Sequence, residues 1–159
     1  MKKVKNPFLS IDNYQCFACS PFNKSGLRLQ FLVDSDRVYT DFYLNRKFEG
    51  FPGITHGGIQ STIVDETMFW AVLEFVKKLS VTGKMEIQFK KPLSVEKKLT
   101  CYARVVKANS RMVNCTSEIV DRGNEVYCKA RGVYIIPSRK MWEQASSVDL
   151  TKTDLVNYM

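Results

Sequence analysis

Leu27, Leu29, Phe31 and Val33 alternate with Arg28, Gln30 and Leu32, the period of a half-buried strand. The polar run Asp34-Ser35-Asp36 reads as a turn. A second strand follows, with Val38, Thr40, Phe42 and Leu44 on one side and Tyr39, Asp41 and Tyr43 on the other, so the two make a hairpin. Residues 45–56 form a loop punctuated by Gly50, Pro52 and Gly53. The period then changes. Over residues 57–79 the apolar side chains (Ile59, Ile63, Val64, Met68 to Val72, Leu73, Phe75, Val76, Leu79) come to cover nearly the whole circumference. That predicts one long helix, about 35 Å at 1.5 Å per residue, buried on most sides.

Four strands are predicted after it. Met85, Ile87 and Phe89 alternate with Glu86, Gln88 and Lys90 up to Pro92. Residues 99–106, 113–120 and 125–136 follow, with Gly132 expected as a bulge. Residues 138–159 read as a short helix or a loose tail. The order strand, strand, long helix, four strands predicts an α+β fold, one antiparallel sheet curled around a central helix. With 159 residues and no linker or repeat, the expectation is a single domain over 1–159.

Charge adds a partner question. The chain holds 24 Lys and Arg against 16 Asp and Glu, a formal net charge of +8. Nine bases (Lys77, Lys78, Lys84, Lys90, Lys91, Lys97, Lys98, Arg104, Lys107) against Glu86 and Glu96 place +7 of it in residues 77–107. Such a window suits an anionic partner or a solvated face. Nucleic acid is disfavoured, since no recognition motif is present and only Phe89 and Tyr102 offer stacking rings there. The longest apolar run, residues 68–73, is far short of the roughly 20 residues that cross a bilayer, so no membrane insertion is expected. Five cysteines with no visible secretory leader suggest reduced thiols and a cytoplasmic setting. Cys16 and Cys19 form a lone Cys-x-x-Cys. A metal would need two more ligands, while the single histidine, His56, has another role below and Cys101, Cys115 and Cys128 fall within strands, so none is expected.

Chemistry concentrates at the start of the long helix, in His56-Gly57-Gly58 followed by Asp65-Glu66. Unpaired N–H groups at a helix N-terminus, approachable past glycine, can polarise a carbonyl and hold an oxyanion. A carboxylate two turns inside an apolar helix is costly unless it is paired or reactive. This combination resembles the hotdog-fold acyl-CoA thioesterases of the phenylacetyl-CoA thioesterase type. Cys16-Phe-Ala-Cys19-Ser-Pro-Phe-Asn23-Lys-Ser-Gly26-Leu27 is similar to the segment leading to the first strand in many of them, and Thr82-Gly83 before Met85-Glu-Ile-Gln-Phe-Lys-Lys-Pro92 to the segment leading into their sheet. The likeness covers residues 14–136.

The resemblance implies a hotdog fold and hydrolysis of an acyl-CoA to a carboxylic acid and free CoA, without a separate cofactor. Asp65 would be general base or nucleophile, the Gly57 N–H, with that of Gly58, the oxyanion hole. His56 would orient the thioester or its loop, and Thr82 would hold the attacking water. Glu66, Lys84, Lys90, Lys91, Arg104 and Lys107 are candidates for binding the substrate, the bases for its phosphates. Some relatives carry an amide side chain six residues before the histidine, where this chain has Gly50. A hydratase or dehydratase acting on acyl thioesters and a non-catalytic acyl-CoA-binding protein are the alternatives.

Spacing bears on assembly. Nine residues separate His56 from Asp65, about 900° of helical rotation, so the two face opposite sides, roughly 13 Å apart along the axis. One helix cannot aim both at one thioester. Two antiparallel helices across a twofold axis can, which predicts a homodimer with shared sites, or a tetramer built from such dimers.

Overall fold

The apolar stretch forms helix α1, Gly57–Phe75, in the computed structural model, which describes residues 2–159. Ile63, Val64, Met68, Trp70, Ala71, Val72 and Leu73 are all buried along it. The helix ends a turn earlier than its apolar pattern predicts. Lys77 takes φ 57°, the left-handed conformation that terminates helices. Leu79 is nevertheless buried, because the C-terminal segment returns over it and Tyr158 O accepts its N–H at 2.8 Å. Its apolar character reported burial, not helix.

Before α1 come β1 (Lys2–Lys3), β2 (Leu32–Asp34), β3 (Arg37–Tyr43), β4 (Glu49–Phe51) and β5 (Ile54–Thr55). After it come β6 (Val81–Phe89), β7 (Lys98–Ala108), β8 (Met112–Val120) and β9 (Val126–Ile135). Seven strands make one antiparallel sheet in the order β1-β2-β3-β7-β8-β9-β6, with α1 packed on one face. The short hairpin β4–β5, absent from the sequence reading, leads into α1. This is the expected α+β architecture. No helix among the described residues is long and apolar enough to cross a membrane.

Two strand expectations change. Of the strand read over residues 27–33, only its end joins the sheet. Arg28 takes φ 52°, and Leu27 and Leu29 donate instead to the carbonyls of Phe17 and Ala18 at 2.8 and 2.9 Å. The alternation survives as burial, with Phe31 stacked on Trp70 at 5.1 Å between ring centroids. Gly132 is not a bulge, since its register with β6 and β8 runs straight through, opposite Met85 and Cys115. A Cβ there would lie 2.8 Å from Tyr134 Cε2 and 3.0 Å from Met68 Cε, so its glycine makes room for the Tyr134 ring over α1.

The β7–β8 and β8–β9 pairings carry register shifts, and the irregularity that shapes the site falls in β6. Its register on β9 shifts between Thr82 and Lys84, at Gly83. One extra residue reverses the alternation, so Thr82 joins Met85 on the helix side and leaves the outward row of Lys84, Glu86 and Gln88. At the C-terminus, α2 (Arg139–Ala145) and two 3-10 turns bury Leu150 and Leu155 against the core, so residues 138–159 are packed down and not a loose tail.

Candidate active site

His56 caps α1. Its Nδ1 accepts the Gly58 N–H at 2.9 Å, so the ring carries its proton on Nε2 when neutral. The cap consumes the Gly58 donor. Gly57 N–H has no acceptor among the described residues and remains the available donor at the positive end of the helix dipole. The histidine is held from outside by its own N–H, bonded to Phe48 O at 2.9 Å. Gly50 explains the missing amide side chain, since a Cβ there would lie 3.1 Å from His56 Cα and 3.2 Å from its ring. The space belongs to the histidine.

Two turns further on, Asp65 is half-buried and doubly anchored. Thr82 Oγ1 and Tyr134 Oη each donate to its Oδ1 at 2.7 Å, and Tyr134 Oη also lies 2.8 Å from its backbone carbonyl. No bond falls on Oδ2 among the described residues. Burial, with the carboxylate beside it, pushes the Tyr134 phenol above its ordinary range, which keeps it a donor. Thr82 and Tyr134 are direct partners across β6 and β9, and only the shift at Gly83 turns Thr82 inward to meet them. Ser61, one turn back from Asp65, bonds instead to Gly57 O at 2.9 Å.

Tyr134 is the residue that sequence reading missed. Its signal was parity: Cys128, Ala130, Gly132 and Tyr134 form the buried row of β9, and tyrosine is the one member with a polar tip needing a partner.

Other candidates lie apart from Asp65. Glu66 turns to a different face, where Oε1 accepts the Trp70 indole N–H at 2.9 Å, and burial pushes its carboxyl up to about 7. Lys84 pairs with Glu86 at 2.7 Å, and Lys91 with Glu125. Arg104 is on the outer sheet face, 3.5 Å from Asp36, in a groove of about 460 Å³ shared with Arg37, Lys129 and Arg131. Lys107, near the end of β7, and Lys90, just after β6, have no ion pair among the described residues. Lys90 and Lys91 directly follow Phe89, whose ring lies 3.4 Å from where a Gly57 Cβ would be.

Residues 52–128 match the family model of the thioesterase superfamily. Comparison with curated protein sequences finds no match. Among solved structures, the PaaI protein of the E. coli phenylacetic acid degradation operon superposes with TM-score 0.65 at 18% identity, over 70% of this chain and 81% of that one. A hypothetical thioesterase protein with coenzyme A from Streptococcus pneumoniae gives 0.61 at 18%, over 65% and 80%. A further thioesterase superfamily protein gives 0.66 at 17% over 72% of this chain, which spans only 57% of that protein's length. These likenesses carry the hotdog fold.

Proposed function

We propose that this chain, a hotdog-fold member of the thioesterase superfamily, hydrolyses acyl-CoA thioesters through Asp65 and the Gly57 N–H. One observation carries the reading: Asp65 has both donors on Oδ1, which fixes the carboxylate and leaves Oδ2 to act. Oδ2 would take a proton from water as the oxygen attacks the thioester carbonyl. The carbonyl oxygen, becoming an oxyanion, would accept from Gly57 N–H. Collapse of the tetrahedral intermediate then breaks the C–S bond and releases CoA thiolate, which is protonated to the thiol.

Both groups cannot serve one substrate within a chain. Gly57 and Asp65 are about 12 Å apart along α1. Strand β6 offers the solution, because it is a nine-residue sheet edge with Phe89 at the Gly57 end and Thr82 at the Asp65 end. Pairing β6 with a second copy across a twofold axis would set Asp65 of one protomer beside Gly57 of its partner. Lys90 and Lys91, beside Gly57, are the bases best situated for CoA phosphates.

The test is thiol release from short, long and aromatic acyl-CoAs. Asp65→Asn should keep the fold and lower kcat about 10²–10⁴-fold. Equal cleavage by this variant defeats the assignment. Double-bond chemistry without thiol release would indicate a hydratase, and tight binding without turnover across the panel a carrier. A single turnover in ¹⁸O-water tests the nucleophile, since a mixed anhydride opened by water at Asp65 Cγ leaves the label on Asp65 and unlabelled protein oxygen in the first product, which general-base catalysis never does.

A further inference from the structure

On the face of α1 away from Thr82 and Tyr134, the chain brings together residues fifty positions apart. Cys16, Cys19 and Glu66 each offer a ligand atom, and these atoms lie within 4.8 Å of one another. Cys16 Sγ is 3.9 and 4.0 Å from the two Glu66 carboxylate oxygens. From this geometry we infer that Cys16, Cys19 and Glu66 form a site for one zinc-class divalent cation, with a fourth position open to water.

Size comes first. Zinc holds sulfur at about 2.3 Å and carboxylate oxygen at about 2.0–2.2 Å, so tetrahedral ligands sit about 3.6–3.8 Å apart. The Cys16–Glu66 distances of 3.9 and 4.0 Å are already close to this, and no pair need close by more than about 1.2 Å. Charge comes second. All three groups become anionic as ligands, and Glu66 forms no ion pair with Lys or Arg among the described residues. A bound dication would balance the charge that ligation creates.

The surrounding shell is already built. Trp70 Nε1–H donates to Glu66 Oε1 at 2.9 Å. Tyr14 Oη lies 2.7 Å from Cys19 Sγ, placed to donate to a thiolate. The chain turns back after Cys16, with Ser20 N–H on Cys16 O at 3.2 Å. Glu66 and Cys19 thus each have a partner placed to fix them, as metal ligands require. Cys19 is buried while Cys16 is half-exposed, which gives an ion a route in and a water its place. A bound cation would fasten the segment around residues 14–20 to α1, one residue from Asp65. The sequence expectation of no metal sought two further ligands among His56 and the strand cysteines, and Glu66, fifty residues from Cys16, comes beside the pair only in the fold.

The experiment uses the full chain, reduced with a non-thiol reductant, stripped by chelator and titrated with Co²⁺ and then Zn²⁺. Expected are one equivalent per chain, intense tetrahedral visible bands with a sulfur-to-cobalt charge-transfer band, and their loss on adding zinc. Zinc should bind with Kd below about 0.1 μM and raise Tm. Tyr14→Phe should weaken binding roughly 10–100-fold with stoichiometry unchanged. Cys16→Ser should abolish the charge-transfer intensity from that thiolate, and Glu66→Gln should weaken binding at least about tenfold. Folded, reduced wild type that takes up neither ion below about 1 μM overturns the site. So does unchanged stoichiometry and spectrum in the Cys16→Ser, Cys19→Ser double variant. A Cys16–Cys19 disulfide in protein whose reduced form ignores zinc overturns it in favour of a redox pair.

Discussion

Tyr134 holds Asp65 twice, at the carboxylate and at the backbone carbonyl. Tyr134→Phe removes both bonds without changing shape. The variant should lose about 0.5–1.5 kcal/mol of stability, the net worth of the lost hydrogen bonding where Thr82 still satisfies Oδ1. Because Thr82 still anchors Oδ1, Asp65 should stay near its place but swing more widely. A roughly tenfold fall in kcat with little change in KM is therefore expected, within the range for a misdirected base. Steady-state kinetics beside urea unfolding would check both figures. Equal kcat in wild type and variant would reduce Tyr134 to a packing residue. Gly132→Ala makes a companion case. Its methyl would meet Tyr134 and Met68 at 2.8 and 3.0 Å, so overpacking should cost about 1–3 kcal/mol and push the phenol off Asp65. Asp65 was legible in the sequence because a carboxylate stood out in an apolar helix. Tyr134 was not, because a tyrosine in a strand looks like ordinary core until its register is known.

At the level of elements, α1 begins with a donor that a single substitution can delete. Gly57→Pro removes the N–H, and proline suits the first position of a helix. The preceding residue is also compatible, since His56 has φ −58° and ψ 135°, near polyproline II and away from the α region that proline disfavours in its neighbour. Fold and Tm should therefore survive while kcat falls about 10²–10³-fold. Circular dichroism with a thioesterase assay reads the two separately, and full activity in a folded Gly57→Pro protein removes Gly57 from the oxyanion hole. Strand periods predicted β6 to β9 well, because each has one face on the core. They failed at residues 27–31, where Leu29 and Phe31 bury against Trp70 but the backbone bonds go to residues 17 and 18. Alternation reports which side chains are buried, and the partners of the backbone lie outside the window. The Gly83 shift was invisible for the same reason, though it is what turns Thr82 toward Asp65.

Across the whole molecule, the basic window looks different once folded. Lys77, Lys97, Lys91 and Arg104 pair with Glu74, Asp121, Glu125 and Asp36, four acids from outside residues 77–107. Lys84 pairs with Glu86 inside it. Apart from the part-buried Lys97–Asp121 pair, these pairs are largely exposed and add little stability, but they blunt the field that a linear count suggests. What is left near Gly57 is local, chiefly Lys90. The shared site can then be tested by complementation. In the proposed dimer Asp65→Asn would lack the base and Gly57→Pro the oxyanion donor, so each variant alone should be nearly inactive. If the site combines Asp65 of one chain with Gly57 of the other, a mixed dimer pairs the two lesions in one site and leaves the second intact. Random reassortment of equal amounts makes about half the dimers mixed, so about a quarter of wild-type activity should return. A site contained within one chain gives the opposite result, because every chain then carries one lesion and mixing restores nothing. Co-expression with two affinity tags, purification of the mixed species and a thiol-release assay distinguish these outcomes, and a monomer with full activity would remove the shared site altogether.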